Sequence, residues 1–303
     1  MRSILPALVV LLLAGCGPDF ELQSEIRRVR VLAIQAEPAE LVVDPDASSL
    51  PGPMTFNALA VTPDARPVTV RYALCRFTGN PYDGRCPGDD SVPLPDGELS
   101  LSDPNVQAVL LEALAAGNPG GGGTLDPEDP ALREALARGI PLFIGYEATD
   151  GSGTPEGTER GVRRVTLRAT TTPNQNPVVS DVLWDGAPLT GPLPVSREVT
   201  FTPVLAEGSV EIEETDEGPR PEQVFFSWFA TGDGEVKEFR SQEPVEGRPG
   251  DPTSAYDTPA TPQRVTFWVA QPHRGRGPIG PAPDVRLRRT GAPRRARALR
   301  PRR

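Results

Sequence analysis

Apolar and polar residues alternate along most of this chain, the period-two signature of half-buried strands. "RRVRVLAIQAEP" opens the patterned region, followed by "TFNALAVTP" and "VTVRYALCRF". In the third, Val68, Val70, Tyr72 and Leu74 share one face, and Cys75 falls on the opposite, outward face. "IPLFIGYEAT" places Ile140, Leu142, Ile144 and Tyr146 together, and "VRRVTLRATT" closes this first set. A second set begins at "TTTPNQNPVVSDVLWDG" and continues with "REVTFTPVLAEG", "SVEIEET", "EQVFFSWFATGDGEV" and "RVTFWVAQP". In the fourth of these, Val224, Phe226 and Trp228 alternate with Phe225, Ser227 and Phe229. Both faces are apolar, as in a central strand.

One stretch breaks the period. Asp103 and Pro104 form an N-cap with proline at the first helical position. Val106, Val109, Leu110, Ala113 and Leu114 then recur at helical spacing up to Gly117. Asp129 and Pro130 start a shorter helix through "ALREALAR", stopped by Gly139. The sequence therefore predicts a mainly β protein of two β-sandwich domains, residues 26–172 and 173–272, with a helical insertion over about 103–139 of the first. "NPGGGG" between the helices is a linker, because the Gly-Lys-Ser/Thr of a phosphate loop is absent.

The N-terminus has a different pattern. An apolar run from Ile4 to Leu13 follows Arg2, too short for the about 20 residues that span a bilayer and shaped as a secretory signal peptide. Residues 1–15 are read as that signal and 16–25 as a polar tether. Leu13-Ala14-Gly15-Cys16 matches the bacterial lipobox. That resemblance implies cleavage before Cys16 and joining of its thiol to diacylglycerol; two or three acyl chains in all, palmitate among them, hold such a protein on a membrane. Gly17 rather than aspartate follows the cysteine, which favours the outer membrane.

Composition adds a division of charge. The net charge of −10 splits into −21 over residues 1–263 and +11 over residues 264–303, where 12 arginines meet one acid, Asp284. An acidic body repels nucleic acid and anionic lipid, so nucleic acid is excluded as a partner. The basic tail, 273–303, is poor in apolar residues, and disorder is expected beyond about Thr290. It reads as a basic arm for anionic envelope polymers or for the acidic body, or else as drifted coding sequence. With Cys16 acylated, Cys75 and Cys86 remain as an even pair in an oxidising compartment and are expected to form a disulfide.

Catalytic signals are sparse. The single histidine, His273, lies in the tail, which removes Ser–His–Asp and Cys–His arrangements and the usual zinc sites. Oxygen ligands for calcium are offered by Asp83, Asp89, Asp90, Asp150, Asp233 and Glu235, but Asp-Gly is also the common turn dipeptide. No EF-hand spacing occurs, and neither metal nor cofactor is expected. Trp184, Trp228 and Trp268 all sit inside strand patterns and read as core.

"RVLAIQAEPAE" after a lipobox, "VTVRYALC", "NQNPVVSDVLWDG", "FFSWFATGDGE" and "VTFWV" together resemble myxobacterial-type outer-membrane lipoproteins with two immunoglobulin-like or cadherin/PKD-like β-sandwich domains. The resemblance spans about residues 1–272 and stops where the composition turns basic. It implies fold and a lipid-anchored cell-envelope location, and no reaction. The expected role is a non-enzymatic structural or binding module that engages an envelope protein or glycan. The alternative is a carboxylate-based envelope enzyme such as a glycan hydrolase, which would need a cleft with two facing carboxylates.

Overall fold

The computed structural model describes residues 22–43, 51–76, 86, 91–117, 130–171, 173–215, 218–271 and 280–281 of the 303. Cys16, the linker between the helices, and the tail apart from residues 280–281 lie outside the described residues. Strands dominate the rest, and two helices interrupt them.

The first set comprises β1 (Arg30–Glu37), β2 (Leu41–Val43), β3 (Met54–Val61), β4 (Thr69–Leu74), β5 (Val92–Leu94), β6 (Glu98–Leu99), β7 (Ile140–Thr149) and β8 (Thr158–Ala169). One sheet has the order β1-β3-β6, and the other β2-β8-β7-β4-β5. All pairings are antiparallel except β2 on β8. Side chains from both sheets meet in one cluster, with Met54 and Phe56 from the first against Leu74, Ile144 and Val165 from the second. At about 1.5–3 kcal/mol per large apolar side chain, this burial is the main force holding the layers together.

The helices α1 (Pro104–Gly117) and α2 (Pro130–Arg138) follow the predicted spacing. Val106, Val109 and Leu110 of α1 and Leu132 and Leu136 of α2 all join the same cluster. Asp103 caps α1 by accepting the Asn105 amide at 2.8 Å, a contact worth about 1 kcal/mol. Gly139 ends α2 at a positive φ of 82°, a backbone state that a side chain disfavours.

Glycines on β7 and β8 make room for two residues. Tyr146 lies over Gly161, its register partner, and the Cys86 sulfur lies where a side chain on Gly145 would project. Cys75 and Cys86 stand at disulfide distance, with Cα atoms 5.0 Å apart. Cys75 does share the outward face with Gly145, but it is only 3% exposed rather than open to solvent. The bare Gly145 backbone lets the pair of sulfurs settle onto the sheet.

The second set holds β9 (Val179–Trp184), β10 (Ala187–Pro188), β11 (Glu198–Leu205), β12 (Ile212–Thr215), β13 (Gly218–Pro221), β14 (Phe225–Ala230), β15 (Glu235–Val236), β16 (Arg240–Gln242), β17 (Ser254–Asp257), β18 (Phe267–Gln271) and β19 (Gly280–Pro281). These build a five-stranded sheet, β10-β9-β11-β17-β15, and a four-stranded one, β16-β14-β18-β19. Their shared cluster centres on aromatic rings: Phe201 and Phe267 have centroids 4.5 Å apart, and Tyr256 meets Phe267 edge-on at 4.8 Å. Trp228 is fully buried there and donates Nε1–H to Ser241 Oγ at 2.7 Å.

"SVEIEET" joins neither sheet. Its strand, β12, pairs only with β13 as a separate hairpin, and Ile212 is 62% exposed. Alternation there marked a strand but not its partner.

The two sheet pairs touch. Phe229 and Trp268 on β14 and β18 pack with Ile26, Leu32, Ala33 and Val61 in a third cluster. This contact explains Phe229 on the second face of β14: the first face meets its own sheet pair, and Phe229 meets β1 and β3. Ala230 N–H donates to the Ser24 carbonyl at 2.9 Å, so ordered contacts begin inside the stretch read as tether. The connecting segment is pinned as well. Glu40, its side chain fully enclosed, pairs with Arg168 and accepts from the Asn174 side chain and backbone, while Asn176 Nδ2 donates to the Ala36 carbonyl.

Candidate functional site

The residues first considered for calcium are spoken for where they are described. Asp150 accepts the Ser152 amide at 2.9 Å and pairs with Arg66 at 2.9 Å. The Ser152 contacts and the Arg66 charge hold its carboxyl below the usual range. Asp233 accepts from Gln263 at 3.1 Å, and Glu235 pairs with Lys237 at 3.0 Å. Asp83, Asp89 and Asp90 lie outside the described residues. Among the described residues no three metal-ligating side chains converge.

A concavity lies in the second sheet pair, where residues of the edge strand β16 face those of β11 and β17. A groove of about 640 Å³ is lined by Thr200, Phe225, Glu238, Arg240, Ser241, Gln242, Asp251, Thr253 and Ala255. Two sheets contribute to it, so its width is fixed by the packing of the core below. Ser241 forms part of its floor: the hydroxyl accepts from Trp228 and donates to the Pro252 carbonyl at 2.7 Å. That hydroxyl is consumed by structure and is no nucleophile.

Both carboxylates in the groove are also engaged. Glu238 Oε2 accepts the Ala255 amide at 2.8 Å. Asp251 Oδ1 accepts the Thr253 hydroxyl at 2.7 Å and the Thr253 amide at 2.9 Å. These bonds, the hydroxyl first, hold the Asp251 carboxyl below its ordinary range, because hydrogen bonds to the charged form favour it. Asp251 is thus an ionised turn-former rather than a proton donor. Arg240 is exposed and lies over the Phe239 ring, 5.6 Å from its centroid, a cation–π contact that steadies the guanidinium. One cation, one aromatic face and several amide and hydroxyl groups make a surface suited to a polar ligand.

Of these groove residues only Phe225 stood out in the sequence, and as a strand residue. Glu238, Arg240 and Asp251 belong to a turn-rich stretch without periodicity, and only the fold brings them opposite Thr200 and Ala255. No known family model matches the chain, and no curated protein matches it.

Proposed function

We propose that this chain is a lipid-anchored cell-envelope protein, tethered through Cys16 on the outer membrane, whose two immunoglobulin-like sandwiches form a structural or binding module. The strand order supports the immunoglobulin-like assignment. In the first set, β1, β3 and β6 take the places of strands A, B and E, and β4, β7 and β8 those of C, F and G. In the second, β9, β11, β17 and β15 correspond to A, B, E and D, and β14, β18 and β19 to C, F and G. Trp228 sits buried on the strand in the C position, where such sandwiches carry a core tryptophan.

The observation that carries a binding role is the engagement of both groove carboxylates. A glycan hydrolase needs one carboxylic acid protonated and a second carboxylate free to act as base or nucleophile. Asp251 is held ionised by Thr253, and Glu238 is committed to Ala255. The groove offers contact, with Arg240 and Phe225 as its most distinctive groups. Incubation of the mature protein with purified envelope polysaccharide and peptidoglycan separates the two roles. Cosedimentation weakened by Arg240→Ala, without release of reducing ends, is the expected result. Release of reducing ends that Glu238→Gln or Asp251→Asn abolishes would replace the module with the hydrolase.

A further inference from the structure

Arg163 occupies an unusual place for an arginine. In β8 it shares parity with Val165 and Leu167, both buried in the first cluster, and its register partner on β7 is Ile144, fully buried. The side chain therefore starts on the apolar, inward face. Its Nε and Nη2 are buried and have no hydrogen-bond partner. The carboxylate that shares this face of β8, Glu159, is four residues back, roughly 13 Å along an extended strand. Glu159 already accepts the Val31 amide at 2.6 Å. Tyr146, lying over Gly161, stands between the two. Among the described residues, Arg163 forms no ion pair.

The identity of the two orphaned nitrogens matters. Nε and Nη2 lie on one edge of the guanidinium and point their N–H bonds in parallel. That edge is the fork which takes both oxygens of a planar carboxylate at once. A buried donor left unmade costs the desolvation of that donor, and an orphaned pair on a cation costs more. Most buried polar groups are hydrogen-bonded, so an orphaned pair calls for an explanation, and a partner from outside the chain is one. The residue as a whole is only partly buried, and β2 pairs with β8 only over Leu167–Ala169. Beside Arg163 that edge of the sheet has no paired strand among the described residues, and the partial exposure of the residue is its approach from solvent.

We propose that the Nε/Nη2 edge of Arg163 is a receptor for a single carboxylate, carried by a small organic acid or by the free C-terminus of a peptide. The site is independent of the groove between β16 and β17 and does not rest on the role assigned to it. Burial pushes the Arg163 guanidinium down to about 9, still charged at neutral pH, and an incoming carboxylate would relieve that cost.

The test uses the mature full-length protein with isotope-labelled arginine, following the Arg163 Nε–H resonance. The probes are sodium acetate, sodium chloride at equal ionic strength, and a short peptide with a free or an amidated C-terminus. Acetate should shift the Nε–H resonance saturably and raise the melting temperature, and chloride should do neither. The free peptide acting more strongly than acetate, with its amide inert, assigns the carboxylate to a chain terminus; acetate alone acting assigns it to a small acid. Arg163→Lys keeps the charge without the fork and should weaken binding by about tenfold or more. Arg163→Met should abolish the response and melt higher in chloride. If neither acetate nor the free peptide moves the wild-type resonance, or if Arg163→Lys binds as well as wild type, the carboxylate receptor is refuted.

Discussion

Replacing Glu40 tests how the two sheet pairs are held to one another. Glu40 precedes β2, and its side chain is fully enclosed. Its Oε2 accepts Arg168 Nε at 2.9 Å and the Asn174 amide at 3.1 Å, its Oε1 accepts Asn174 Nδ2 at 2.9 Å, and the ion pair to Arg168 Nη2 measures 2.8 Å. Alanine removes all of these at once and leaves the Asn174 amide without that acceptor and Arg168 without its enclosed counter-charge. Breaking a buried pair by deleting one partner costs about 3–5 kcal/mol. Arg168 keeps some contact with solvent, which places Glu40→Ala near the lower end, about 3 kcal/mol. Glutamine keeps the shape and one acceptor but turns an amide toward the donors of Arg168 and Asn174, so about 2 kcal/mol is expected from the lost charge-assisted bonds. Urea unfolding followed by tryptophan fluorescence measures both. A double-mutant cycle with Arg168→Met isolates the pair, with a coupling of 1 kcal/mol or more expected for groups in direct contact (typically about 0.5–3 kcal/mol). A loss under about 1 kcal/mol for Glu40→Ala, or a coupling near zero, would refute the reasoning, since the network would then contribute nothing beyond its solvated equivalent.

Three further outcomes follow from the same structure. Cys75→Ala with Cys86→Ala should lower stability by about 2–3 kcal/mol under non-reducing conditions by freeing the intervening loop; an unreduced digest should join the two peptides, and free thiols at both positions would count against the bond. Burial pushes the Tyr72 phenol up to about 12, so the folded state keeps a proton that the unfolded chain loses near pH 10. Stability is therefore intact below about pH 10 and falls toward pH 12, by about 2–3 kcal/mol from Tyr72 alone; tyrosinate absorbance at 295 nm should rise together with unfolding, and a rise that precedes unfolding would show an accessible phenol. Trp228→Phe removes the indole bond to Ser241 and leaves a void under the groove, so a loss of about 2 kcal/mol is expected by thermal melting.

The alternation of Ile140, Leu142 and Ile144 identified β7, because a strand with one face on a core writes its burial directly into the sequence. Asp103 and Gly139 likewise marked helix ends through local backbone chemistry. What the sequence could not give was the identity of the neighbour. "SVEIEET" reads as a strand of the second set, yet β12 finds only β13 among the described strands and leaves Ile212 exposed, since alternation says nothing of pairing. Phe225 and Phe229 point to a central strand, and β14 is central, but Phe229 is covered by β1, far earlier in the chain, and Phe225 lines the groove. Cys75 was assigned the correct face and the wrong exposure, because the bare backbone of Gly145 beside it is a cross-strand fact. Arg163 did carry a signal: it shares parity with Val165 and Leu167, and an arginine on an apolar face marks a place for closer inspection. The charged residues of the groove carried none, as Glu238, Arg240 and Asp251 converge only in three dimensions.

The most direct test of an envelope-anchored module is the mass of the native protein extracted from membranes by detergent. The expected species begins at Cys16 and carries the added mass of a diacylglycerol and a further acyl chain, and Cys16→Ala moves the protein to the soluble fraction. A native chain that starts elsewhere, or an unmodified Cys16 on a protein that still partitions with membranes, would contradict it.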